Sequence, residues 1–100
     1  MKNQITLIGN MGDQPHITNF QNGSKVVRFS LATPTIVNGK QSANWHKVFA
    51  WGNLAKFIEN FGAKGKQIVV TGKLVNRTYI GKDGKTCKIT EVEVRQVVGL

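Results

Sequence analysis

Every second residue from Trp45 to Trp51 is an aromatic ring or a cation: Trp45, Lys47, Phe49 and Trp51. In an extended chain alternate side chains point to the same face, so these four share one side of a strand, with His46, Val48 and Ala50 on the other. The run from Gln67 to Ile80 repeats the pattern. Ile68, Val70, Gly72 and Leu74 form its apolar face, which leaves Thr71, Lys73, Val75, Arg77 and Tyr79 opposite. Aromatic rings interleaved with cations suit one chemistry well. Unpaired bases expose π faces that stack on such rings, at about 1–3 kcal/mol per base, while Lys and Arg neutralise the intervening phosphates. Trp45, Trp51 and Tyr79 are the candidate stacking residues, and Lys47, Lys73 and Arg77 the candidate phosphate contacts. Stacking accepts any base, whereas a duplex hides its base faces, so the expected ligand is a single strand of unrestricted sequence. Stacking distinguishes DNA from RNA poorly.

The same rings have competing uses. Tryptophan is usually partly buried, and Phe49 is the ring expected in the core. Lys40, Lys64, Lys66, Lys82, Lys85 and Lys88 read as solvated loop charges that steer a polyanion without touching it. For catalysis the chain offers little. It has two histidines, His16 beside Pro15 and His46 within the tryptophan strand, and no HExxH, CxxC or P-loop pattern. Glu91 and Glu93 share a face of the last alternating run, where a solvated or salt-bridged role among many lysines is expected. The single Cys87 forms no intramolecular disulfide and founds no cysteine metal cluster. Neither an enzyme nor a cofactor or metal is expected.

Fourteen Lys and Arg against five Asp and Glu give a net charge of +9 on 100 residues. That surplus points to a polyanionic partner. The chain length allows one domain, residues 1–100, with one modest core. The opening MKNQITLIGNMG has neither a signal-peptide core nor a membrane span, so a cytoplasmic setting without membrane contact is expected.

These side chains need a scaffold of strands. Lys25 to Thr33 alternates, with Asn22-Gly23 before it, Pro34 as its stop and Asn38-Gly39 as a following turn. A second alternating run begins at Asn44. Leu54, Phe57, Ile58 and Phe61 then fall on one face of a short helix, with Asn53 as candidate cap and Gly62 and Gly65 as stops. Gln67 to Ile80 and Thr86 to Val98 are strands joined by the hairpin signal Gly81-Lys82-Asp83-Gly84. With Asn3 to Met11 as the first strand, the order is β-β-β-α-β-β. The expected fold is all-β: an OB-fold, a five-stranded Greek-key barrel with one short α-helix between strands 3 and 4.

Across nearly its whole length the chain resembles the bacterial single-stranded DNA-binding proteins. The likeness is carried by LIGNMG at Leu7 to Gly12, FSLAT at Phe29 to Thr33, WHKV at Trp45 to Val48 and WGNLA at Trp51 to Ala55. It continues through KGKQIVVTGKL at Lys64 to Leu74 and TEVEV at Thr90 to Val94. The resemblance implies an OB-fold that wraps single-stranded DNA in replication, repair and recombination, in the bacterial cytoplasm in association with the nucleoid. It implies a homo-oligomer, with a tetramer favoured over a dimer. It places base stacking on Trp45, Trp51 and Tyr79 and basic contacts on Lys47 and Arg77, and it puts His46 near a subunit contact.

Three departures stand out. Ile36-Val37 occupies a place where many members carry a further tryptophan, and Trp51-Gly52-Asn53 replaces a common Phe-Gly-Lys. Family members also continue into a linker with an acidic tip that recruits replication and repair proteins, whereas this sequence ends at Gln96-Val97-Val98-Gly99-Leu100. Recruitment through a tail is therefore not expected of these residues. Two other readings accompany the main one: a primosomal replication protein, a related dimeric OB-fold type, and an OB-fold protein-interaction module whose aromatics form an interface.

Overall fold

The computed structural model describes residues 3–100. The elements run β1 (Ile5–Met11), β2 (His16–Asn19), β3 (Lys25–Val37), β4 (Lys40–Trp51), α1 (Gly52–Phe61), β5 (Gln67–Ile80) and β6 (Thr86–Gly99). Five long strands close on themselves in the order β1-β5-β6-β4-β3, with β3 returning to β1. This is the expected barrel, and the helix falls between β4 and β5, the third and fourth of its five long strands.

The sixth strand, β2, is a finding of the structure. It lies on the same edge of β3 as the end of β1: Asn10 and Met11 face Ala32 and Leu31, and His16 to Asn19 face Arg28 to Lys25. Between them Gly12 N–H donates to Ser30 O, and Ser30 N–H donates to the Asp13 side chain at 3.1 Å. One bent strand is thus split at Gly12–Pro15, where Pro15 has no N–H to donate to the ladder and the Asp13 carboxylate, rather than a backbone carbonyl, accepts from Ser30. β1 also leaves β5, which it pairs over Ile5–Asn10, to reach β3.

Four strand boundaries differ from expectation: β1 begins at Ile5 rather than Asn3, β6 ends at Gly99 rather than Val98, and the other two lie in the β3–β4 hairpin. β3 continues through Pro34 to Val37, and β4 begins at Lys40 rather than Asn44, so the pair forms one long hairpin. Beyond Ala32 the far edge of β3 has no strand partner among the described residues, and an edge tolerates proline. The turn is Asn38-Gly39, both at positive φ (51° and 76°), which matches the right-handed twist of the flanking strands. In the helix, Asn53 is not the cap; that position falls to Trp51, without a side-chain hydrogen bond.

The core lies inside the barrel: Val27, Phe29 and Leu31 from β3, Val48 and Ala50 from β4, Ile68 and Val70 from β5, Val92 and Val94 from β6. The helix closes one end with Ala55 and Ile58 fully buried, and with Leu54 and Phe61 packed against the same cluster. Phe57, assigned to that face by spacing, is exposed and stacks on Phe61 instead, with centroids 5.3 Å apart. Leu74 keeps its expected face, opposite buried Val92, but is 43% exposed, since the pairing of β1 with β5 ends at Gly72.

Candidate nucleic-acid interface

The outer face of the barrel is set by register. β4 and β6 run parallel for three pairs, Lys47 with Glu91, Val48 with Val92 and Phe49 with Glu93. On its other side β6 is antiparallel to β5, which places Val75 beside Glu91, Lys73 beside Glu93, Arg77 beside Ile89 and Tyr79 beside Cys87. Directly opposed residues point to the same side, so the alternating sets of β4 and β5 converge on one surface with β6 between them. On the flank of β4, Arg28 opposes Phe49 and Ser30 opposes Lys47.

This surface holds an open groove of about 440 Å³. Tyr79 and Arg77 line it from β5, Lys47 from β4, Arg28 and Ser30 from β3 and Glu91 from the floor. Three predicted site residues, Lys47, Arg77 and Tyr79, therefore meet in one cavity. Lys73 does not line it; it sits farther along β5, in register with Glu93. Trp45, at the middle of β4, and Trp51, at its end, share the same face of that strand, about 20 Å apart by strand rise. Trp45 is 63% exposed, Tyr79 50% and Trp51 45%, values that take all three rings out of the core. Phe49 is buried, as expected of it, beneath the Arg28 guanidinium, which lies 5.2 Å from its ring centroid.

Each tryptophan has a support. The outer ring of Trp45 lies directly on Gly12, whose missing side chain makes room for it: a Cβ there would overlap ring atoms Cζ3 and Cη2. Trp51 stacks on Phe20, with centroids 5.8 Å apart and planes at 27°. Phe20 is a site residue that sequence reasoning missed. It precedes the Asn22-Gly23 turn and lacks alternating aromatic neighbours, so only the pairing of β2 with β3 brings it to Trp51.

Arg28 and Glu91 were missed as a unit too. Glu91 is 4% exposed, and its two oxygens accept from Arg28 Nη1 at 2.7 Å and Arg77 Nη1 at 3.1 Å. The expected salt bridging holds, with arginines rather than lysines as partners, but the solvated position does not. Burial of a carboxylate is tolerated because both oxygens are paired. Glu93, its neighbour by two, pairs with Arg95. His46 hydrogen-bonds the Thr33 hydroxyl at 3.0 Å, and Ile36 and Val37 are exposed near the hairpin tip. Among the described residues no group of three or more His, Cys, Asp or Glu is arranged to hold a metal ion, and no helix is long and apolar enough to cross a membrane.

The profile of the single-strand binding protein family matches residues 2–100. A single-stranded DNA-binding protein of Bacteroides thetaiotaomicron is 35% identical over 92% of this chain and 62% of its own length. Single-stranded DNA-binding protein 1 of Xylella fastidiosa is also 35% identical, over 95% of this chain and 74% of its own. This chain thus spans about two thirds of the length of these relatives. Among solved structures, one described as the Plasmodium falciparum SSB complex with ssDNA superposes with a TM-score of 0.87 at 29% identity, covering 98% of this chain and 94% of that one. Barrel, register and sequence agree, and the chain belongs to the single-strand binding protein family.

Proposed function

We propose that this protein binds single-stranded DNA without regard to sequence, protecting the strand and holding it open during replication, repair and recombination. The observation that carries the reading is the β4–β5 face, where Lys47, Arg77 and Tyr79 share one groove and exposed Trp45 and Trp51 extend the same surface along β4. Bases stack on Trp45, Trp51 and Tyr79, and phosphates run over Lys47, Arg77 and, beyond the groove, Lys73. The role is one of binding and not catalysis. The relative resolved with ssDNA supports this choice of ligand, and the family supports it over an interaction module or a primosomal protein.

The working form is a homotetramer in the bacterial cytoplasm. In support, the flank of β1 opposite β5 has no strand partner over Ile5–Gly9 among the described residues, and Ile8 on that strand is exposed. Such an edge suits pairing between copies. A solution mass of four chains is expected, and a mass of two would favour the primosomal reading. Replication and repair enzymes are the protein partners this role implies.

The decisive experiment is titration of tryptophan fluorescence with oligo-dT, using a duplex of equal length as control. Strong quenching by the single strand that persists at high salt and is absent with duplex is expected. No quenching at any salt would return both tryptophans to a protein interface.

A further inference from the structure

A buried acid at the floor of a groove for a polyanion is a contradiction that the geometry of Glu91 resolves. The two carboxylate oxygens are both occupied, one by Arg28 from β3 and one by Arg77 from β5, and the side chain is almost wholly covered. It therefore presents no free oxygen to a phosphate. Each arginine spends a single Nη on Glu91 and remains nearly half exposed, with its other guanidinium N–H groups available to the groove. Arg28 is held a second time, by the Phe49 ring under its guanidinium.

We propose that Glu91 is a positioning residue for phosphate capture: its buried carboxylate fixes Arg28 and Arg77 as a paired cationic clamp, with Arg28 a phosphate contact in its own right. The inference rests on the reading of the groove as the path of a single strand. Two guanidinium groups this near one another repel, and each carries a flexible stem whose ordering opposes binding. A shared carboxylate removes the repulsion and fixes both forks before the ligand arrives, so that charge-assisted and bidentate hydrogen bonds to phosphate cost less ordering. The neighbouring Asp13, His16 and Lys47 also line the groove, but none of them bridges the two strands that carry the arginines.

The sign of one substitution separates this role from simple electrostatics. Glu91→Gln keeps the shape and raises the net charge by one, which by charge alone should tighten binding to a polyanion. Positioning demands the reverse. In oligo-dT titrations across a salt series, Glu91→Gln should bind roughly tenfold more weakly. Its plot of log affinity against log salt should flatten by about 0.7 for each phosphate that the clamp no longer neutralises. In an Arg28→Ala/Arg77→Ala background the same change should cost nothing further.

Equal or tighter binding by Glu91→Gln, or a full additional loss in the double-arginine background, would overturn the proposal. If thermal melts show that Glu91→Gln does not fold, the arginines alone decide. Arg28→Ala and Arg77→Ala should weaken binding by less together than the product of their separate effects, because either substitution alone already dismantles the paired clamp. Independent, multiplying losses would overturn the clamp. Wild-type protein that fails to bind oligo-dT at all would defeat the single-strand reading and this inference together, whereas wild-type binding with a tighter Glu91→Gln defeats this inference alone.

Discussion

Trp45 owes its place to a residue with no side chain. Its outer ring rests on Gly12, just beyond the end of β1, so the orientation of the candidate stacking platform is set 33 positions away in sequence. Two substitutions test this dependence. Trp45→Ala should weaken oligo-dT binding by about 1–3 kcal/mol while leaving the melting curve close to wild type, because the ring is largely exposed. Gly12→Ala keeps the tryptophan but pushes its ring outward; the far end of an exposed side chain yields at small cost to stability. It should reproduce part of the affinity loss and shift the tryptophan emission, as read by fluorescence with and without oligonucleotide. An unchanged spectrum and affinity would mean that the ring does not depend on that support.

At the scale of elements, the tightest junction is where β5 crosses β6. The register slips between Thr71 and Gly72, which leaves Arg95 without an opposed residue, and a Cβ on Gly72 would collide with the Glu93 carbonyl. Backbone cannot yield as a ring can. Gly72→Ala should therefore destabilise the fold by about 1–3 kcal/mol, measured as a lowered urea midpoint, with the groove chemistry untouched. The alternations around Trp45 and Lys73 were legible in the sequence because period two is all that a strand requires, and they brought Lys47, Arg77 and Tyr79 to one face. What alternation does not contain is which strands become neighbours. Phe20 reaches Trp51, and Arg28 reaches Glu91 and Arg77, through the β2–β3 and β4–β6 pairings, contacts of long sequence separation. Pro34 misled for a related reason: it stops a strand only where both edges are paired, and edge status is a property of the sheet. Phe57 fell off the buried face because the core at that end is filled by the small Ala55 and by Ile58, which lets the helix seat at a different rotation.

Across the whole molecule a charge of +9 is spread over a body of 49 × 39 × 29 Å, so long-range attraction and groove contacts both contribute to affinity. Salt separates them. Screening at physiological ionic strength confines a charge to about 8 Å, which weakens steering by loop lysines such as Lys82 and Lys85 more than contacts made inside the groove. Lys47→Ala should lower the slope of log affinity against log salt by about 0.7, whereas Lys82→Ala should slow association at low salt and leave that slope nearly unchanged. Equal slopes for both variants, in titrations from low to high salt, would place Lys47 among the steering charges.

The long β3–β4 hairpin, finally, gives the molecule two levels of rigidity. Its outer part, from Thr33 to Asn44, is paired only within itself among the described residues, while its inner part is built into the closed barrel. Amide protons near Asn38-Gly39 should then exchange with solvent long before those of Val27 or Val48, and a protease given brief access should cut at that tip first. The clipped protein would keep its barrel. Such an arm opens and closes on its own timescale without loosening the platform from which it extends.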